Sequence, residues 1–207
     1  MNKILILMFF ASSLHSCSRT KSAVSGKRVT VARGNISFVL PDSSLIYGKL
    51  ILWSADFNGG EYGEAGAFYH NRDSTTSISV YVKAYPITFQ GRLPWRIIAD
   101  EQEARQMLLA KNHGLAIIED FKADSLTRTT VISYLLVNQQ ERGWRGQLRY
   151  NKSITIYGRH RIISFWLFGP DSPITRQRFA AAQASIRVAP AYLQGTVAAY
   201  QSKAFQD

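Results

Sequence analysis

A single cysteine, Cys17, occurs in the 207 residues. No disulfide can close within the chain, so packing alone must hold its fold. Histidine is scarce as well. Outside the first seventeen residues only His70, His113 and His160 occur. None of them forms an H-x-H or H-x-x-x-H pair or stands beside a cysteine, so a zinc site would need ligands drawn from distant segments. No metal and no cofactor is expected. There is no G-x-S-x-G elbow, and no catalytic residue is assigned. Acids are few, 14 against 25 Lys plus Arg, for a formal net charge of +11. Such an excess favours an anionic partner. No apolar run approaches the roughly 20 residues that a membrane-spanning helix needs.

What the chain does have begins at its first residues. Lys3 is followed by an uninterrupted apolar run from Ile4 to Ala11. That run has the length of the apolar core of a secretory signal. Leu14-His15-Ser16-Cys17 follows, with leucine three places before the cysteine and a small residue directly before it. The pattern resembles a bacterial lipobox. The resemblance implies cleavage after Ser16 and lipidation of Cys17, which also removes an exposed thiol. Ser18, where an acid would resemble an inner-membrane retention signal, favours an outer-membrane anchor facing the periplasm. Two or three acyl chains hold stably, since each buried methylene contributes about 0.8 kcal/mol. In that compartment nucleic acid is not an expected partner. Anionic lipid, acidic glycan or an envelope protein takes its place.

The rest reads as one domain. Hydrophobic residues make up 46% and aromatic residues 12% of the chain, enough to build a core and to argue against disorder. The expected organisation is a signal peptide over 1–16, a lipidated cysteine and tether over 17–33, a folded domain over 34–188, and a loose or briefly helical tail over 189–207. Ile36-Ser37-Phe38-Val39-Leu40 alternates and then meets Pro41-Asp42-Ser43-Ser44, so a strand closed by a turn is predicted. Short strands are also expected over 49–53 and 67–70. Between them, the four glycines and three acids of 56–66 read as a loop. Ile78, Val80 and Val82 alternate in a strand over 77–85. Asp100 with Glu103 forms a capping-box pattern that predicts a helix over 100–112, its stripe carried by Ala104, Met107 and Leu108. Four strand-like runs follow, over 115–122, 128–138, 144–157 and 161–168. The last two connections, Glu141-Arg142-Gly143 and Gly158-Arg159-His160, are short enough for hairpins. Antiparallel order is therefore the economical arrangement. Ser172-Pro173 predicts a second helix, with Ile174, Phe179, Ala182 and Ile186 as its buried stripe and Pro190 ending the ordered part.

The opening Ile36-Ser37-Phe38-Val39-Leu40-Pro41, the closing strand 162–168 and the following helix that ends at Phe179…Ser185-Ile186 resemble the PsbP-like fold. That resemblance covers roughly 34–188. It implies an α+β fold, an antiparallel β-sheet flanked by helices in an α/β/α sandwich, and a non-catalytic binding or assembly role. It transfers no functional residue.

The densest non-random feature lies between Arg142 and Arg161. Arg142, Trp144, Arg145, Arg149 and Tyr150 stand out as candidate ligand-binding residues, because arginine beside aromatic rings can bind phosphates and sugars through forked hydrogen bonds and stacking. Residues two apart share a strand face, so Arg145, Gln147, Arg149 and Asn151 are expected on one basic face. The competing reading is a charged coat that discourages edge pairing. The sequence thus points to a lipid-anchored, non-enzymatic binding or assembly factor of a bacterial envelope. A periplasmic hydrolase and an immunity or inhibitor lipoprotein are the rival readings.

Overall fold

A computed structural model describes residues 26–48, 62–84, 116–137 and 148–195, together with Gln106, which is helical. In chain order the elements are β1 (Arg28–Val31), β2 (Ile36–Val39), β3 (Ile46–Gly48), β4 (Tyr62–His70), β5 (Ser77–Ala84), β6 (Ala116–Asp124), β7 (Thr129–Val137), β8 (Leu148–Tyr157), β9 (Arg161–Pro170), α1 (Pro173–Ser185), β10 (Arg187–Val188) and α2 (Pro190–Gln194). The helix expected over 100–112 lies outside the described residues except at Gln106, as do the strand expected over 49–53 and the connection Glu141-Arg142-Gly143.

Seven strands form one antiparallel sheet in the order β3-β4-β5-β9-β8-β7-β6. A second sheet, β1-β2-β10, has three strands. Alternation fixes which face is buried. Ile78, Val80 and Val82 of β5 stand opposite Leu167, Phe165 and Ile163 of β9, and Ile154 of β8 stands opposite Phe165 from the other side. Side chains two apart point the same way, so these residues share one face, called the front. Ile36 and Phe38 from β2, Leu40 directly after it, and Phe179 and Ala182 from α1 close over it as a single core. The edge-to-face contact of Phe38 with Phe165, ring centroids 5.5 Å apart, joins the two sheets.

Helix α1 starts as its sequence demands. The Ser172 hydroxyl accepts from the Thr175 amide at 3.1 Å, and Pro173 occupies the first turn. Its end is tied to β2, where the Ser185 hydroxyl accepts from the Val39 amide at 2.7 Å. Its phase is the expected one at Phe179 and Ala182, with Ile186 packed against the core, and one position departs from it. The buried positions are Thr175, Phe179 and Ala182, while Ile174 is 61% exposed. The cause is a close approach at Gly169. A Cβ there would meet Thr175 Cγ2 at 2.9 Å and Phe179 Cζ at 3.1 Å. The glycine lets those two side chains sit on β9, and Ile174, about 100° round the helix from Thr175, turns outward.

Three further expectations need correction. Residues 28–31, expected in the tether, form β1 and pair with β2. Residues 62–66, expected in a glycine-rich loop, belong to β4 and pair with β5 across a bulge between Gly63 and Ala65. Pro190 opens α2 instead of ending the ordered part. The described fold reaches Gly195, because Arg159 N–H donates to the Leu193 carbonyl at 2.9 Å and Arg161 donates to those of Tyr192 and Gly195 at 2.8 and 2.9 Å. The other expected strands, where they fall on described residues, stand close to where alternation put them.

Phe179→Ala is expected to cost about 3–5 kcal/mol of stability by leaving a core cavity. Ile174→Ala should stay within about 0.5 kcal/mol of the parent. Urea unfolding of the two variants checks the helix phase, and the opposite ranking would contradict it.

Candidate binding surface

Of the five residues singled out for binding, Arg142, Trp144 and Arg145 lie outside the described residues. Arg149 and Tyr150 are neighbours on β8 and point to opposite faces of the sheet. Both are buried, at 3% and 6% exposure. Alternation in this part of β8 therefore does not separate a solvated basic face from an apolar one, because both faces are covered there.

Arg149, Arg161 and Arg176 each lie over an aromatic ring, but within the protein. The Arg149 guanidinium lies 4.6 Å from the centroid of Phe168 and donates to the Thr75 carbonyl at 2.6 Å. It thereby holds the β4–β5 turn, which Asn71 also ties by accepting from the Thr76 amide at 2.9 Å. Burial pushes the Arg149 pKa below its ordinary value, against the opposing charge of Asp73. On the front face Tyr150 stacks on Phe179 at 5.9 Å, and Arg176 from α1 lies 4.4 Å from its ring centroid. Arg176 donates to both Glu119 oxygens at 2.7 and 2.8 Å and to Asp171 at 2.7 Å. The hydrogen bonds to Glu119, then to Asp171, hold its pKa above the ordinary value. Arg161 stacks on Tyr192 at 4.4 Å. Its position at the carbonyl end of α2 is the favourable one for a cation.

The back face, turned away from α1, carries a feature that sequence reasoning missed. The registers line up Phe68, Ser79, Trp166, Ser153, Ile132 and Phe121 across six strands. Trp166 lies in the middle of this row, on the central strand β9, and is 45% exposed. It leans on Tyr81, with centroids 5.1 Å apart and planes at 52°. Serine hydroxyls at 79, 153 and 164 and Thr155 surround it. A signal existed: once Ile163, Phe165 and Leu167 face inward, Trp166 must face the other way. The small neighbours that leave its ring standing proud come from other strands, and only the register supplies them. Burial raises the pKa of the Tyr134 phenol and, on balance, that of Tyr157, so both remain neutral hydrogen-bonding groups.

The histidines are engaged locally. His70 stacks on Phe68 at 5.1 Å, and its Nδ1 donates to the Asn71 carbonyl at 2.8 Å. His160 is buried. Among the described residues no three His, Cys, Asp or Glu side chains gather.

No protein-family model and no curated protein sequence matches the chain. Solved structures do. The Saccharomyces cerevisiae Ran-binding protein Mog1p aligns with a TM-score of 0.50 at 13% identity, over 82% of this chain and 98% of Mog1p. The solution structure of cyanobacterial PsbP (CyanoP) from Synechocystis sp. PCC 6803 aligns with a TM-score of 0.50 at 14% identity, over 84% of this chain and 98% of that one. The fold is PsbP-like. At these identities the likeness is one of architecture, a single α+β domain, and the resemblance read from 34–188 holds at that level. Within the PsbP-like fold of this chain, the described helices both pack on the front of the large sheet, and Trp166 marks its back.

Arg149→Ala is expected to destabilise the protein by about 1–3 kcal/mol, since it strips the Thr75 carbonyl of its charged donor. Arg149→Lys should not restore the loss, because an ammonium cannot reproduce the flat stack on Phe168. Thermal unfolding of both variants checks this. Unchanged stability would return Arg149 to a surface role.

Proposed function

We propose that the chain is a non-enzymatic, lipid-anchored binding or assembly factor of a bacterial envelope. Cys17 is its point of attachment, and the domain faces the periplasm from the outer membrane. Its partner is an envelope protein, engaged through the back face around Trp166 and Tyr81.

The observation that carries this reading is the half-exposed Trp166 on the central strand of a seven-stranded sheet. A tryptophan is costly to leave in water, and tryptophan and tyrosine are the side chains most enriched where protein contacts concentrate their energy. The hydroxyls beside the ring suit a contact that also exchanges hydrogen bonds at its rim. A protein named for binding Ran shares the fold, which agrees with a binding role without naming this chain's partner.

A photo-crosslinking amino acid at position 166, with a control at the exposed position 174 on α1, tests the reading in the producing cell. Position 166 is expected to yield a discrete adduct with one envelope protein, and position 174 is not. Adducts equal at the two positions, or none at 166, would contradict the assignment of this face.

A further inference from the structure

On the three-stranded sheet positive charge goes unanswered. Residues 26–41 and 179–195, which carry that sheet, the second half of α1 and α2, hold Lys27, Arg28, Arg33 and Arg187 and not one Asp or Glu. Among the described residues no carboxylate pairs with any of the four, whereas Asp42 pairs with Arg178, Glu119 and Asp171 with Arg176, and Asp120 with Lys122. Val29, Val31, Ile36, Phe38 and Val188 pack toward the core, so Arg28, Thr30, Ser37 and Arg187 point outward. The register sets Thr30 and Arg187 on either side of Ser37, with Arg28 one outward position along from Thr30. Arg28, Thr30 and Arg187 are exposed.

Two of these guanidiniums meet at one place. Arg28 Nη1 donates to the Ser37 hydroxyl at 3.1 Å and reaches the Ser185 carbonyl at 3.5 Å. Arg187 Nη1 donates to the carbonyls of Ala184 and Ile186 at 2.8 and 2.7 Å. Successive carbonyls at the end of α1 thus hold both side chains at once. The last carbonyls of a helix lack partners within it and suit a cation, but together they offer only about half a negative charge. Two guanidiniums set against that half leave roughly one and a half positive charges on one exposed spot. A carboxylate, with one charge and two oxygens, answers part of this and fills a single fork. A phosphate monoester carries about −1.5 to −2 at pH 7 and presents three acceptor oxygens, which matches both the charge and the two forks. Each arginine spends only Nη1 on the protein, so its Nε and Nη2 protons remain for a ligand. The Ser37 oxygen accepts from Arg28, which leaves the hydroxyl proton to donate. Bonding through Nη1 also fixes both side chains in advance, and that lowers the entropy lost on binding.

We infer that Arg28, Ser37 and Arg187 form a binding site for a phosphate monoester group, with Thr30 at its margin. Lys27 and Arg33, exposed before β1 and in the β1–β2 turn, add to the field that draws the anion in. The site lies on the side of the molecule away from Trp166 and stands whether or not Cys17 is acylated. A free phosphate monoester and a lipid headgroup that ends in one present the same chemistry, and the test separates them.

Side-chain nitrogen spectra of the full chain, produced with isotope-labelled arginine, read each guanidinium separately. Where Cys17 is acylated the protein is carried in phosphatidylcholine nanodiscs. Arg28→Lys and Arg187→Lys assign the two signals. Inorganic phosphate, titrated at an ionic strength held constant with chloride, is expected to shift the Nε signals of Arg28 and Arg187 saturably and to leave those of the exposed Arg128 and Arg159 nearly still. Ser37→Ala should weaken the affinity about three- to tenfold through one lost hydrogen bond. Arg187→Lys keeps the charge without the fork and should weaken it about tenfold or more. Thermal unfolding of each variant checks that α1 is intact, and Ser37→Ala, which removes no bond to the α1 carbonyls, carries the test should Arg187→Lys fail to fold. Glycerol phosphate and nanodiscs containing phosphatidic acid then name the source. A shift with glycerol phosphate alone supports a free monoester, and a shift with the phosphatidic acid nanodiscs at a far lower phosphate concentration supports a headgroup. No shift with any of these probes, shifts at Arg128 and Arg159 equal to those at Arg28 and Arg187, or titrations that Ser37→Ala and Arg187→Lys leave unchanged would each overturn the inference.

Discussion

The contact between Phe38 and Phe165 sets the terms for the rest of the molecule. Phe165 lies at the middle of β9, the strand on which β3-β4-β5 and β8-β7-β6 converge, and both rings are fully buried. Phe38 brings the three-stranded sheet onto the front of the large one, and its ring also meets Tyr69 edge-on at 6.0 Å. Fully burying side chains of this size contributes about 1.5–3 kcal/mol each, and a one-residue slip of β9 would expel Ile163, Phe165 and Leu167 together. The register is therefore strongly specified. Its consequence lies on the other side: with Phe165 inward, Trp166 is committed outward.

The same logic governs the positive charge. A net charge of +11 suggests a broadly basic surface, yet several of the arginines are structural. Arg149 clamps the β4–β5 turn, Arg161 caps α2, and Arg176 joins α1 to β6 through Glu119 while lying over Tyr150. Each combines flat stacking with charge-assisted donation to a carbonyl or carboxylate, the use to which a guanidinium is better suited than an ammonium. Arg128 and Arg159 lie outside these clamps and are exposed at one end of the sheet.

Much of this was legible in the residues. Ile78-Val80-Val82, the β-branched run of β7 and the alternation in β9 specify strands through period alone, and Ser172-Pro173 fixes where α1 begins. The short hairpin turn at Gly158-Arg159-His160 makes antiparallel order economical. What escaped was decided by tertiary contact. The four residues of β1 and two of β10 are too few to display a period and exist by pairing with β2. Gly63 and Gly66 give β4 the composition of a loop, and pairing with β5 overrides it. The outward turn of Ile174 in α1 depends on Gly169, a residue outside the helix. Arg149 was expected on a basic face because alternation reports which residues share a face, not whether that face is covered. Trp166 passed unnoticed because its small neighbours belong to β5 and β8, remote in sequence.

The proposed function assumes that the chain is held at a membrane by Cys17, its one cysteine. The most direct measurement is the intact mass of the protein extracted from membranes of the producing cell, beside a Cys17→Ser variant. The account predicts a mature chain that begins at Cys17 and carries the mass of its acyl groups, with that mass absent from the variant. A full-length, unacylated product recovered in the aqueous fraction would contradict it.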